Sequence, residues 1–142
     1  MIGICNGFQI LCESGLLPGA LRKNACLKFL CKWVDLEVVN SETPFTSRAQ
    51  SGQRLRIPIN HFEGSWYCDD DTLQQMKANG QIVLRYVDNP NGSLESVAGI
   101  CNEAKNVFGL MPHPERACES LLGSEDGAVI LGSLVDSLKV SA

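Results

Sequence analysis

The chain has 142 residues, of which 44% are hydrophobic and 20% charged, and this composition predicts one globular domain spanning residues 1–142. Its 12 basic and 16 acidic residues give a net charge of −4, which argues against a nucleic-acid partner because phosphate binding requires a clustered positive face. The apolar runs are short and no basic segment precedes one at the N-terminus, so neither a membrane span nor a signal peptide is predicted.

The cysteines indicate a reducing environment. There are seven of them, without a Cys-x-x-Cys pair, and only two histidines accompany them. A disulfide framework or a zinc site is therefore not expected, and we predict a cytoplasmic protein that holds no metal. Six of the seven are predicted to be small buried hydrophobic side chains, namely Cys12, Cys26, Cys31, Cys68, Cys101 and Cys118.

The first element predicted is a strand, a sharp turn and a helix. Residues 1–4 have the pattern of a buried strand end and residues 6–14 that of a short helix, with Cys5 between them. Because Gly3 and Gly7 lack a Cβ, they should relieve the crowding of a tight elbow that holds Cys5 in a strained conformation. The N-terminus of the helix should favour the thiolate of Cys5 over the thiol.

The middle of the chain is predicted to be rich in strands. Residues 27–39 alternate well enough for one or two strands, and a polar loop follows over residues 40–52. Residues 53–59 alternate again, and because Pro58 has no N–H, this strand is expected at a sheet edge or ending at the next loop. A helix is predicted to begin at the acidic run 69–71 and to close at residues 79–80.

The loop at residues 60–64 combines several groups that can bind a ligand. An amide, an imidazole, an aromatic ring and a carboxylate follow one another, in Asn60, His61, Phe62 and Glu63. An ordinary exposed loop is the alternative interpretation, since His and Glu are common at such positions.

The last third of the chain predicts three strands and a helix. The strands are expected at residues 81–87, 97–101 and 106–111, and the helix at residues 125–138. The buried side of this helix should consist of Val129, Ile130, Leu134 and Leu138. Strands and helices in this order predict the α/β class, with helices packed on a sheet.

His113 is the second candidate for chemistry. It follows a predicted strand, lies between Pro112 and Pro114, and is followed at a distance of two residues by Glu115. A histidine at a strand end can take a proton from Cys5, and the carboxylate can hold the other imidazole nitrogen. The alternative is a structural histidine in a proline turn.

These two motifs together resemble those of the class I glutamine amidotransferases. The elbow of that family reads Gly-x-Cys-x-Gly-x-Gln, which residues 3–9 match, and its triad closes with His-x-Glu, which residues 113–115 match. The resemblance is closer to one branch, the glutaminase subunits of phosphoribosylformylglycinamidine synthases. It extends over residues 1–11, 16–21, 86–93, 99–102 and 109–116.

The resemblance implies a flavodoxin-like α/β sheet with flanking helices, and a reaction. Cys5 would attack the side-chain amide of L-glutamine, His113 would act first as the base and then as the acid for the departing ammonia, and Glu115 would orient His113. Water would then hydrolyse the thioester to glutamate. Substrate binding would involve Gln9, Asn6, Asn60, His61, Phe62 and Glu63, although Gln9 alone could equally be a surface helix residue.

The family also implies partners. Ammonia would pass to a synthetase subunit, with the help of a small accessory subunit, and that synthetase converts formylglycinamide ribonucleotide to formylglycinamidine ribonucleotide in purine biosynthesis. ATP and magnesium are expected on that synthetase, and no cofactor is expected on this chain.

The sequence departs from the family before the elbow. Full-length members carry a substantial N-terminal portion there, which supplies sheet strands and the glycine-rich loop that forms half of the oxyanion hole. With one remaining donor, the N–H of Asn6, we expect little glutaminase activity from this chain by itself, and some tendency to associate. A non-catalytic chain that keeps only a partner-binding surface is one alternative, and a cysteine hydrolase acting on another amide is a second.

Overall fold

A computed structural model describes residues 1–140, which form a six-stranded sheet, a two-stranded sheet and three α-helices. The helices are α1 (Asn6–Glu13), α2 (Asp70–Ala78) and α3 (Gly127–Val140). The strands are β1 (Ile2–Ile4), β2 (Ala20–Arg22), β3 (Leu30–Val38), β4 (Arg54–His61), β5 (Ser65–Tyr67), β6 (Ile82–Tyr86), β7 (Val97–Cys101) and β8 (Phe108–Leu110).

The larger sheet is mixed and has the order β1-β8-β7-β6-β3-β4. Strand β1 is parallel to β8, and the remaining neighbours are antiparallel. The expected position of β4 at an edge is confirmed, and Pro58 lies in that strand opposite Trp33. Strand β1 forms the other edge of the described sheet, so among residues 1–140 it is paired on one side only.

Helices pack on both faces of this sheet, which confirms the α/β class. On one face, α3 contributes Ile130 to a core that includes the stacked rings of Phe45 and Phe108, whose centroids are 4.9 Å apart. On the other face, α1 and α2 contribute Phe8 and Met76 to a second core around Trp66. The two clusters hold the sheet between them and fix the direction of each strand that ends at the site.

Several details differ from the sequence predictions. The strands β2 and β5 were not predicted; they form a small antiparallel sheet. Leu138 was predicted to be buried and is 65% exposed, because the last turn of α3 lies beside a groove with Met1 rather than on the sheet. Ile130 is fully buried as predicted, whereas Val129 and Leu134 are only partly buried.

The prediction of buried cysteines is correct for half of the set. Cys12, Cys68 and Cys101 are buried, but Cys26 and Cys31 are exposed and Cys118 is half-buried. Cys31 is exposed in β3 and Cys26 lies in the loop before that strand. All seven cysteines carry free thiols.

Candidate active site

Cys5 occupies the turn between β1 and α1 with φ +52° and ψ −105°. This conformation is strongly disfavoured for a residue with a Cβ, so the predicted strain at the elbow is confirmed. The Cys5 N–H donates to the carbonyl of Leu110 at 2.8 Å, and its carbonyl accepts from the N–H of Phe8 at 3.0 Å. The residue is therefore held by β8 on one side and by the first turn of α1 on the other.

The two glycines of the elbow have different environments. A Cβ on Gly3 would lie 2.5 Å from Leu11 Cδ1 and 2.7 Å from the backbone of Gly7, so a side chain there would separate β1 from α1. A Cβ on Gly7 would meet nothing within 4 Å. Crowding thus explains Gly3 as predicted, but it does not explain Gly7.

The thiol of Cys5 is half-buried and donates to the carbonyl of Asn60 at 3.6 Å. Burial raises the pKa of Cys5 above its usual value, the backbone N–H of Asn6 lowers it, and the negative charge of Glu115 raises it again. The prediction that the helix N-terminus lowers this pKa overall is wrong for the isolated chain, because loss of hydration outweighs the contribution of the Asn6 N–H.

His113 and Glu115 are joined directly. Nδ1 of His113 lies 2.6 Å from Oε1 of Glu115, and the backbone N–H of His113 donates to the carbonyl of Pro58 at 2.9 Å. The imidazole is 12% exposed, whereas the carboxylate is 45% exposed. Because a carboxylate accepts, it selects the tautomer with the proton on Nδ1, which leaves a lone pair on Nε2.

No hydrogen bond joins Cys5 and His113 among the residues described. Nε2 of His113 is buried without a partner. The charge of Glu115 nevertheless acts on the Cys5 thiol, so the three predicted catalytic residues occupy one region. A pair of this kind commonly tightens only when substrate is bound.

The predicted substrate loop is only partly a loop. Asn60 and His61 are the last residues of β4, and His61 is 3% exposed, so the alternative interpretation of an exposed histidine is wrong. Phe62 and Glu63 are exposed, and the carbonyl of Glu63 accepts from Nε2 of Gln9 at 2.7 Å. Gln9 therefore connects α1 to this turn through a hydrogen bond. A helix residue that only faced solvent would not make this contact.

A depression of about 500 Å³ lies beside the elbow. It is lined by Asn6 and Gln9 of α1 and by Glu63 of the turn after β4. Its size accommodates a small amino acid, and one of its lining residues, Asn6, follows Cys5 directly in the chain.

The sequence reasoning missed two asparagines beneath the turn. Asn24 is fully buried and hydrogen-bonds to His61 and Gly64, and Asn91 donates to the carbonyl of Gly64 at 2.9 Å. Asn91 lies in residues 88–92, which were predicted only as a turn. The residues next to Asn24 in the sequence are those of an ordinary loop, so the sequence did not indicate the role of either asparagine.

The described residues contain no cluster of three His, Cys, Asp or Glu side chains suited to a metal ion. None of the helices in residues 1–140 is both long enough and apolar enough to cross a lipid bilayer.

Comparison with solved structures places the fold among glutamine amidotransferases. PurLQS from Thermotoga maritima is 52% identical with a TM-score of 0.88, over 96% of this chain and 61% of that chain. A putative GMP synthase subunit from Thermoplasma acidophilum has 16% identity and a TM-score of 0.60, over 99% of this chain and 59% of that one. A glutamine amidotransferase from Thermotoga maritima has 18% identity and a TM-score of 0.53, over 99% of this chain and 46% of that chain.

The last two similarities concern the fold alone, because their identities are low. The chain spans 61% of the length of the PurLQS chain that it matches. Residues 1–126, which include the elbow and the His113–Glu115 pair, match the family described as the CobB/CobQ-like glutamine amidotransferase domain. The chain therefore belongs to the CobB/CobQ-like glutamine amidotransferase family.

Proposed function

We propose that the chain is the triad-bearing part of a glutaminase subunit that hydrolyses L-glutamine and supplies ammonia to a synthetase partner. The observation that carries this proposal is the strained Cys5 at the elbow, in the same region as a His113 already oriented by Glu115. The 52% identity to PurLQS supports a role in the conversion of formylglycinamide ribonucleotide to formylglycinamidine ribonucleotide. Free thiols throughout the chain support a cytoplasmic site for this reaction.

The chemistry follows from the two nitrogen atoms of His113. Its Nδ1–H is held by Glu115, so the Nε2 lone pair is the atom that accepts the thiol proton as Cys5 attacks the amide carbon. The negative charge on Glu115 stabilises the imidazolium that forms. The N–H of Asn6, which already interacts with the sulfur, is placed to donate to the developing oxyanion.

The second half of the reaction returns the proton. Imidazolium Nε2–H protonates the leaving nitrogen, the carbon–nitrogen bond breaks, and ammonia departs from the γ-glutamyl thioester on Cys5. Water then attacks the thioester with His113 again as base, which releases glutamate and restores the thiol. Each step uses groups of this chain, the substrate and water, and no cofactor takes part.

A surface next to the site fits a synthetase partner. Residues 20–34 contain four basic and no acidic residues, which leaves eight basic against sixteen acidic residues in the rest of the chain. Among the large exposed apolar side chains, two belong to this segment and two to the strand and turn against it. This basic aromatic patch consists of Arg22, Lys23, Leu27, Lys28, Phe29, Lys32, Phe62 and Tyr67.

The patch includes Phe62 of the turn after β4, next to Glu63. The guanidinium of Arg22 lies 4.1 Å from the ring centre of Tyr67, and the ammonium of Lys23 lies 6.0 Å from that of Phe62. Leu27 has φ +53°, a strained conformation that keeps an apolar side chain 69% exposed. An acidic partner surface with an apolar centre would cover the patch and enclose the site from that side.

Labelling with an electrophilic glutamine analogue tests the glutaminase. The complex of this chain with its synthetase is treated with the analogue, and peptide mass mapping should find stoichiometric label on Cys5 that glutamine prevents. The exposed Cys26 is an internal control. Label scattered over other cysteines, or none, would favour the non-catalytic alternative, and label on Cys5 that glutamine does not prevent would favour another amide as substrate.

A second assay tests the destination of the nitrogen. With synthetase, ATP and formylglycinamide ribonucleotide, the variant Cys5→Ser should lose amidine formation from glutamine and retain it from added ammonia. Equal loss with both nitrogen donors would contradict the proposed role, because it would show that Cys5 serves the synthetase rather than glutamine hydrolysis.

A further inference from the structure

Arg116 is a charged residue beside the His113–Glu115 pair to which the proposed mechanism gives no role. Its Nε lies 4.0 Å from Oε1 of Glu115, the same oxygen that lies 2.6 Å from Nδ1 of His113. One carboxylate oxygen thus faces both an imidazole and a guanidinium. Only the shorter of the two distances is a hydrogen bond. Glu115 is therefore bonded to His113, while Arg116 acts on the carboxylate as a nearby positive charge.

The backbone holds Arg116 in this place. Arg116 ends a short 3₁₀ turn, and its N–H donates to the carbonyl of His113 at 3.1 Å. The N–H of His113 donates to the carbonyl of Pro58 in β4 at 2.9 Å. After the turn, the carbonyl of Ala117 accepts from the N–H of Gly127, the first residue of α3, at 2.7 Å. The turn is therefore attached to the sheet on one side and to α3 on the other.

The charge of Glu115 has two opposite effects at the proposed reactive centre. It stabilises a protonated His113, and it opposes a negative charge on Cys5. Burial raises the pKa of Cys5 most, and the N–H of Asn6 lowers it. Of the charged side chains that act on Cys5, Glu115 raises this pKa and Arg116 lowers it. The carboxylate that serves the base thus works against the nucleophile, and Arg116 opposes that effect.

The other ionisable groups on the surrounding elements supply no second positive charge to this centre. Tyr86 of β6 and His61 of β4 are neutral near pH 7, because burial raises the pKa of Tyr86 and lowers that of His61 to about 4. Arg56 of β4 lies over the ring of Trp33, at 5.3 Å from its centre, and Arg54 is at the end of that strand remote from Cys5. Helix α1 contains one charged residue, which is negative, and the first nine residues of α3 are uncharged.

We propose that Arg116 is a charge-compensating residue, which offsets the negative charge of Glu115 at the thiolate of Cys5 while Glu115 stays bonded to His113. Its use in catalysis rests on the proposed glutaminase function, whereas the charge effect is a property of the chain alone. Arg116 acts through its charge, and no reacting atom needs to touch it. Because its side chain is 51% exposed and that of Glu115 is 45% exposed, the effect should weaken as salt is added.

Alkylation of Cys5 in the full chain measures the charge effect without glutamine. The rate with iodoacetamide is followed by peptide mass mapping at low ionic strength and above pH 8, where free imidazole is neutral. Arg116→Gln should lower this rate by about two- to fivefold, because less of Cys5 is thiolate. Arg116→Lys keeps the charge and should retain most of the rate. An unchanged rate in Arg116→Gln, or equal losses in the two variants, would overturn the inference.

A distant lysine provides the matched control. Lys139→Gln removes the same charge from a position of α3 that is 73% exposed, and it should leave the alkylation of Cys5 unchanged. At an ionic strength of about 0.5 M, Arg116→Gln and the unmodified chain should react at nearly the same rate, since exposed charges are screened. Two results would contradict the inference: an equal loss in Lys139→Gln, which would assign the effect to net charge, and a difference that salt does not reduce, which would assign it to packing.

Removal of both charges tests the offset itself. Glu115→Gln alone should raise the alkylation rate of Cys5 and Arg116→Gln alone should lower it, and the double variant should return to within about twofold of the unmodified chain. A double variant as slow as Arg116→Gln would count against the inference, because it would show that Glu115 places no charge on Cys5 that needs compensation.

The complex with the synthetase separates this inference from the proposed function. In Arg116→Gln, the acidic limb of the pH profile of kcat/KM for glutamine should move to higher pH, while the value at the plateau changes by less than about twofold. Hydrolysis of glutamine by the complex, without any effect of Arg116→Gln on alkylation, would refute the inference alone. The alkylation effect in a complex that does not hydrolyse glutamine would instead refute the proposed function and support the inference.

Discussion

Cys5 combines a strained backbone with a half-buried thiol. The residue has a positive φ at the end of β1, packs against the core that contains Phe8, and directs its thiol to the carbonyl of Asn60. In the proposed mechanism, a thiol held in this way reacts without reorganisation of the backbone. Hydrogen bonds on both sides of the residue stabilise its strained conformation.

The strain predicts an unusual order of stability. Cys5→Gly should have a higher free energy of unfolding than Cys5→Ala by about 1 kcal/mol, because only glycine adopts this φ and ψ without strain. Chemical denaturation of the two variants measures the difference. At the exposed helical position Ile10 the same pair should show the opposite order, with alanine more stable. Equal stability of the two Cys5 variants would show that the elbow is not strained.

The raised pKa of Cys5 predicts the pH dependence of its alkylation. In the isolated chain, the rate of modification at Cys5 by iodoacetamide should keep rising above the pH at which the same cysteine levels off in the denatured chain. A rate already constant at neutral pH would contradict this. Folding gains stability from the raised pKa below the ordinary pKa of a thiol, and this contribution is lost as the pH rises through the higher value of the folded state.

Among single residues, the sequence indicated those with distinctive neighbours in the chain. Cys5 lies between glycines, and His113 between prolines that restrict its backbone. Their catalytic roles stay predictions, although the structure brings Cys5, His113 and Glu115 into one region. Asn24 lies in no such local motif. It contacts residues about 40 positions away in the chain, and a local sequence pattern does not reveal such contacts.

At the level of elements, the strand-turn-helix at the start of the chain depends on close contact between β1 and α1. Gly3 permits that contact because it has no Cβ, and the side chain of Leu11 occupies the adjacent space. Longer elements with a regular alternation, such as β3 and β4, were predicted close to their observed bounds. The three-residue strands β2 and β5 were not, because three residues cannot establish a period and their pairing is set by tertiary contacts.

The elbow glycines provide a matched pair of substitutions. Gly3→Ala should destabilise the chain by about 1–3 kcal/mol, since its Cβ would overlap Leu11 and the backbone of Gly7. Gly7→Ala meets open space inside a helix and should raise the free energy of unfolding by up to about 1 kcal/mol. Thermal or chemical denaturation measures both. Similar destabilisation by the two substitutions would show that the close contact is not centred on Gly3.

At the level of the whole molecule, charge is unevenly distributed along the chain. The chain is acidic overall, yet the basic aromatic patch contains four of its basic residues, two of which lie against the rings of Tyr67 and Phe62. The prediction of no nucleic-acid partner used only the net charge, which hides such a segregation. The apolar and aromatic side chains of the basic aromatic patch are better suited to contact a protein surface than a phosphate backbone.

This uneven distribution predicts that association with the proposed synthetase partner is sensitive to salt. The double variant Lys28→Glu, Lys32→Glu should weaken binding at least tenfold at low ionic strength, and the difference should shrink as salt is added, because exposed charges are screened. Isothermal titration or surface plasmon resonance measures it. Lys139→Glu on α3 is the control, with an unchanged affinity expected. An equal effect of the control would mean that only the net charge matters.

The pairing of β1 has a consequence for the order in which the molecule is made. Among residues 1–140 its only strand partner is β8, more than a hundred residues later, and the same strand leads directly to His113. Among the described residues, the ladder between β1 and β8 can therefore form only after the rest of the larger sheet has been synthesised. Closure of this ladder joins the residues of longest sequence separation in the described sheet, so we expect it to be a late and slow step in folding.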